Sequence, residues 1–122
     1  MRPIKTMSKQ DLLMASVDLM SKTYIELGLD NVEEETIMVM SQNLSKDLAK
    51  IYKNFYFEDA EEAFSLGVRN LTKTDFIRLN VPLYWNWLRK YREIIWDARA
   101  RVDKGEDPKQ VPYFRPEPKL LT

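Results

Sequence analysis

With no histidine and no cysteine among its 122 residues, the chain lacks the commonest general base, the commonest metal ligand and the usual partners of a nucleophilic serine or thiol. What remains is the chemistry of carboxylates, lysine and tyrosine. Two acidic runs are dense enough to consider: Glu33, Glu34 and Glu35, and then Glu58, Asp59, Glu61 and Glu62. Each falls where the pattern predicts a helix start, and the positive end of the helix dipole favours carboxylates there without any ligand. The glycines at 28, 67 and 105 are too scattered to build a phosphate-cradling loop, there is no G-x-S-x-G, and each glycine is expected to end a helix. The sequence therefore predicts no enzyme, cofactor, metal site or small-molecule substrate.

Recognition chemistry is better represented. Trp85, Arg89, Arg92, Trp96 and Arg99 step by four, three, four and three residues, which places two large aromatics and three guanidiniums on one side of a helix. Trp and Arg are the residue types in which protein interfaces are enriched. A second candidate surface lies near the C-terminus, where Val111, Tyr113, Phe114, Leu120 and Leu121 stand in a proline-rich stretch that would be polar if it were only a linker. These ten residues are the expected partner-binding set, for a larger protein assembly or a second copy of the chain. The alternative uses Arg89, Lys90, Arg92, Arg99 and Arg101 to meet nucleic-acid phosphates, with Trp85 or Trp96 stacked on an unpaired base. Against it, Glu93, Asp97 and Asp103 interrupt the basic face. A third reading has the tryptophans packing inside the domain and the arginines pairing with the acidic N-terminal half.

The elements that must position these residues are helices. Residues 81–105 predict one long helix of roughly 22 residues, about 33 Å, with Pro82 in the tolerant first turn and Gly105 as its stop. Tyr84, Trp87, Leu88, Tyr91, Ile94, Ile95, Ala98 and Val102 form its core stripe. Ser8 and Asp11 have capping-box spacing, and Leu12, Leu13, Val17, Met20, Tyr24 and Leu27 keep helical period up to Gly28. A second helix, capped at Asp30 or Asn31, carries Ile37, Met40, Leu44, Leu48, Ile51, Tyr52 and Phe55, with Ser41, Gln42, Ser45, Lys46, Lys50 and Lys53 as its wet face. A short helix over 60–66 is expected to be capped near Asp59 and stopped by Gly67, and another opens at Thr72 and ends before Pro82. The fold class is all-α: a single domain of about five helices over residues 8–105, preceded by a lead (1–7) that is extended and mobile unless held. It is followed by an extended arm (106–122) with four prolines in 17 residues. The arm either docks in trans or folds back on its own domain.

Hydrophobic content of 44% and charged content of 31% are those of a globular chain. No apolar run is long enough to span a bilayer and the N-terminus lacks a signal-peptide pattern, so no membrane partner and a cytoplasmic location are expected. The net charge of zero conceals a polarity: residues 1–62 hold 7 basic against 12 acidic side chains, and residues 63–122 hold 12 against 7.

Over residues 41–91, and above all in EEAFSLGVR at 61–69 followed by FIRLNVPLYWNWLRKY at 76–91, the chain resembles small helical proteins encoded by bacteriophages and mobile elements. Some of these lie near replication genes and are likened to helicase loaders or replisome accessory proteins. The resemblance implies a helical accessory protein in a host cytoplasm; the long helix beyond Tyr91 and the arm lie outside it and leave room for a role in virion assembly. Leu79-Asn-Val-Pro82 also fits loosely the turn of a helix-turn-helix. Yet Leu83, Tyr84, Trp85 and Trp87 would open the recognition helix, where a reader of base edges shows Arg, Asn, Gln or Ser.

Overall fold

In a computed structural model of the chain, residues 1–71 and 78–114 are described. They form four α-helices: α1 (Lys9–Glu26), α2 (Glu34–Lys50), α3 (Phe57–Arg69) and α4 (Val81–Asp103). Two single-turn 3-10 helices, Ile4–Thr6 and Pro108–Gln110, flank them. Among the described residues no strand occurs beyond one isolated bridge between Pro3 and Tyr56. The protein is thus all-α. The expected further helix opening at Thr72 falls on residues 72–77, outside the described residues.

Local signals account for most helix ends. The Ser8 hydroxyl accepts from the Asp11 N–H at 3.0 Å to open α1, and the Asn80 side chain accepts from the Leu83 N–H at 2.9 Å to open α4. Gly28 (φ 72°) and Gly105 (φ 107°) take the left-handed conformation that ends α1 and α4. Leu29 N–H then reaches the Tyr24 carbonyl and Glu106 N–H reaches the Arg101 carbonyl, as this cap requires. Asp30 and Asn31 do not cap α2: Asn31 occupies a turn at φ 63°, and Glu33 is the N-cap with Glu34 and Glu35 in the first turn.

The helix after it also departs from expectation. Asp59 caps α3 from inside, its carboxylate accepting from the Tyr56 N–H at 2.8 Å, so the helix starts at Phe57 rather than after Asp59. Nor does Gly67 stop it; α3 runs on to Arg69. A Cβ built at Gly67 would overlap the Trp87 indole, so this glycine is a packing residue that lets α4 approach the α3 backbone.

The core is built from pairs of helices, α1 along α2 and α3 along α4, with α1 also touching α3. Met20, Leu44, Leu48, Phe57, Phe64, Tyr84 and Leu88 are its fully buried large side chains. Between them lie Ser16, Thr23 and Ser41, each fully buried. Their hydroxyls donate to the carbonyls of Leu12, Leu19 and Ile37, which satisfies them without any cross-helix partner. Ser41, expected on the wet face of α2, is therefore a core residue, because a self-satisfied hydroxyl occupies little more room than an alanine.

The lead is held. Ile4 is buried in the core, its N–H donates to the Phe55 carbonyl, and the Phe57 N–H donates to the Arg2 carbonyl at 2.7 Å. Arg2 bonds Glu58 through its backbone N–H and its Nε, both at 2.7 Å. It also reaches Glu61 at 3.4 Å and lies over the Phe57 ring. The second acidic run is thereby accounted for as a latch and a cap.

Candidate interaction surface

α4 divides its side chains between core and surface much as its periodicity requires. Tyr84, Trp87, Leu88, Tyr91 and Ala98 are buried, and Ile95 and Val102 are half-buried. Ile94 departs from the stripe: it is exposed, on the wall of a groove between α3 and α4.

On the outward side, Trp85 and Trp96 are 39% and 59% exposed, against 5% for Trp87. Neither outward ring is loose. The Trp85 indole N–H donates to Asp47 Oδ2 at 2.7 Å, and the Tyr84 hydroxyl donates to the same oxygen at 2.6 Å. Asp47 lies near the C-terminal end of α2, where the negative end of the dipole disfavours a carboxylate. Two donors from α4 offset that cost and tie the helices together. Burial, then the bond and charge of Asp47, push the Tyr84 hydroxyl far above the usual tyrosine range.

Seven residues beyond Trp85 along α4 the arrangement becomes cationic. The Arg92 guanidinium lies 4.9 Å from the Tyr52 ring centroid and 4.9 Å from that of Trp96, a cation between two aromatic rings. Its Nε is buried without a hydrogen-bond partner among the described residues, so ring faces are the principal contacts of this side chain. Burial raises the Tyr52 hydroxyl; Arg92 opposes that shift and Asp47 adds to it. Arg89 donates to the Asn86 side chain at 3.0 Å.

Ring contacts continue from this cluster toward the arm. Tyr52 lies 5.0 Å from Phe55, Phe55 lies 6.2 Å from Tyr91, and Tyr91 lies 5.9 Å from Tyr113, the last two edge-to-face. Trp96, Arg92, Tyr52, Phe55, Tyr91 and Tyr113 thus form one connected series joining the exposed helix face to the arm. Residues 106–114 fold back on the domain: Arg101 grips Glu106 through two bonds at 2.8 and 2.9 Å, Val111 is buried and Phe114 is half-buried. Tyr113 has φ 65°, a conformation rare for a bulky residue, and its ring is 43% exposed. Leu120 and Leu121 lie outside the described residues.

The five basic residues considered for phosphate contact are engaged in different ways. Arg92 is stacked between rings, Arg101 is engaged with Glu106, Arg89 bonds Asn86, Lys90 lines the α3/α4 groove, and Arg99 is half-buried. Sequence reasoning missed Asp47 and took Tyr52 and Phe55 only as apolar positions. An acidic residue in the last turns of α2 was the available signal, since the dipole makes it unfavourable unless something pairs with it.

Among the described residues no three acidic side chains converge to hold a metal ion, and no helix is long and apolar enough to cross a membrane. Compared with protein-family models, curated proteins and solved structures, the chain matches none of them.

Proposed function

We propose that this chain is a non-enzymatic accessory protein of a bacteriophage or mobile element, an assembly or adaptor module that grips a larger protein. It acts in the host cytoplasm or within a virion. The observation that carries this reading is the Arg92 guanidinium held between Tyr52 and the exposed Trp96, beside a Trp85 ring fixed by Asp47. Interfaces are anchored by Trp, Tyr and Arg side chains, and anchors held in place before binding lose little entropy on docking. The arm continues that surface through Tyr113 and Tyr91. A protein partner suits the cluster better than a nucleic acid, because a guanidinium stacked between rings and another clamped to Glu106 offer few donors to phosphate.

The test is affinity capture from the native source with the wild-type chain and with Arg92→Ala/Trp96→Ala, followed by mass spectrometry. A protein captured by the first and lost with the second, at equal thermal stability, is the expected result. An identical captured set from both chains would refute the assignment. Captured nucleic acid whose yield falls steeply between 50 and 200 mM salt would favour a replication accessory instead.

A further inference from the structure

The surface around Trp85, Arg92 and Trp96 extends onto α2. Lys50 and Ile51 stand three and four residues beyond Asp47 and so share its face of that helix, and Asp47 is the residue that holds Trp85. Both are exposed. Besides burial, the Tyr52 hydroxyl feels the charges of Arg92, Asp47 and Arg89, which brings those three side chains around one point at the same end of α2. The patch therefore sets three exposed apolar side chains, Ile51, Trp85 and Trp96, among three cations, Lys50, Arg89 and Arg92. Its charge is unbalanced. Among the described residues, Arg2 and Arg101 pair with carboxylates, whereas Lys50, Arg89 and Arg92 form no ion pair. Asp47, the carboxylate within the patch, already accepts on Oδ2 from the Tyr84 hydroxyl and the Trp85 indole. Nor do the acids of α4 supply the missing charge: Glu93 and Asp97 directly follow Arg92 and Trp96 and so point about 100° away from them around the helix.

We infer that this patch receives an acidic segment of a partner protein, whose carboxylates meet Arg92, Arg89 and Lys50 while bulky apolar side chains beside them cover Ile51 and the two tryptophans. The inference rests on the proposed partner-binding role of this face and adds the chemistry of what binds there. Arg92 makes the strongest case. Tyr52 and Trp96 flank its guanidinium and its Nε is buried without an acceptor, so the two Nη groups at the far edge are the donors left for a ligand. Paired N–H donors in one plane match the two oxygens of a carboxylate. One such edge suffices for a carboxylate, whereas a nucleic-acid strand presents a run of phosphates and needs cations along a track. Arg92 also covers a face of Trp96 on which a base would stack.

The experiment selects peptides from a random-sequence library on the wild-type chain and titrates the selected peptides, fluorescently labelled, into Lys50→Gln/Arg89→Gln, Arg92→Lys and Trp96→Ala. The expected result is enrichment of Asp and Glu beside Leu, Phe or Trp, with binding about tenfold weaker in each variant at unchanged thermal stability. Arg92→Lys keeps the positive charge and the capacity for cation–π contact but not the paired N–H edge, so a purely coulombic or structural role would leave its affinity unchanged. Peptides without acidic enrichment that are lost with Trp96→Ala would overturn this inference and leave the partner-binding face standing. No enriched peptide, or acidic peptides that bind every variant as tightly as the wild type, would overturn it too; affinity capture of the native partner then reads separately whether the face binds a protein at all. Tighter binding of single-stranded oligothymidine than of any selected peptide, lost in Lys50→Gln/Arg89→Gln, would assign the patch to nucleic acid. Concentration-dependent dimers abolished by Trp96→Ala would assign it to a second copy, and either result overturns the inference equally.

Discussion

Replacing Gly67 by alanine separates two accounts of this glycine that predict opposite signs. In an ordinary helix interior, alanine is favoured over glycine by about 0.5–1 kcal/mol, so a glycine with no packing role would be improved by the change. Here the added Cβ overlaps the Trp87 indole. Trp87 is 5% exposed and lies edge-on to the buried Phe64 ring, their centroids 5.4 Å apart, so moving the indole away from the new Cβ disturbs contacts already made. Overpacking of this kind costs about 1–3 kcal/mol, and subtracting the gain of about 0.5–1 kcal/mol in helix propensity leaves a net loss of up to about 2.5 kcal/mol. For a chain of this size each 1 kcal/mol lost lowers Tm by roughly 3–6 °C. Urea unfolding followed by far-UV circular dichroism measures it directly. Trp87→Phe in the Gly67→Ala background should recover part of the loss, because the smaller ring makes room, and a double-mutant cycle reads the coupling. If Gly67→Ala raises the urea midpoint, the close approach of α4 to α3 is wrong.

Asp47→Ala leaves the buried Tyr84 hydroxyl without its acceptor and should cost about 1–3 kcal/mol in urea unfolding, whereas Asp47→Asn, which keeps an oxygen there, should cost less. Burial, then the charge of Glu62 and the neighbouring Tyr113, push Tyr91 up to about 12. The folded state therefore keeps a proton that the unfolded chain releases near its ordinary value of 10, so stability is complete below that pH and is lost as pH rises toward 12. Base titration by circular dichroism should show this, with a shallower loss in Tyr91→Phe. Burial tends to raise Glu58, but the N–H and guanidinium of Arg2 outweigh it and hold the carboxyl below its ordinary value. The latch is thus present above the usual carboxylate range and is lost as pH falls through the lowered value. Arg2→Ala should cost less than about 1 kcal/mol at neutral pH, as exposed ion pairs do, and should flatten the acid limb. Iodide should quench Trp96 most and Trp85 next, leaving Trp87 protected; single Trp→Phe variants assign each contribution.

Helix existence was legible because apolar period and caps are local properties: Ser8, Gly28, Pro82 and Gly105 act within a few residues of themselves. What failed needed knowledge of a neighbour. Gly67 looks like a stop until Trp87 is placed on it. Ser41 looks wet until its hydroxyl is seen bonded to the Ile37 carbonyl. Ile94 has the period of a core residue but stands exposed on the wall of the α3/α4 groove. The lead was legible only as conditional, and Arg2 and Ile4 supply the condition.

For the candidate surface, the sequence alone determined which residue types share a helix face, since a spacing of three and four fixes that wherever the helix lies. Trp85, Arg89, Arg92, Trp96 and Arg99 were therefore visible as a series. Tertiary structure decided what each of them does. Asp47 and Tyr52, from α2 and the turn after it, anchor Trp85 and flank Arg92, and Glu106 takes Arg101. Stacking and hydrogen bonding act only over a few ångströms, between residues that the chain separates by up to about 40 positions, and no pattern along the sequence encodes that proximity.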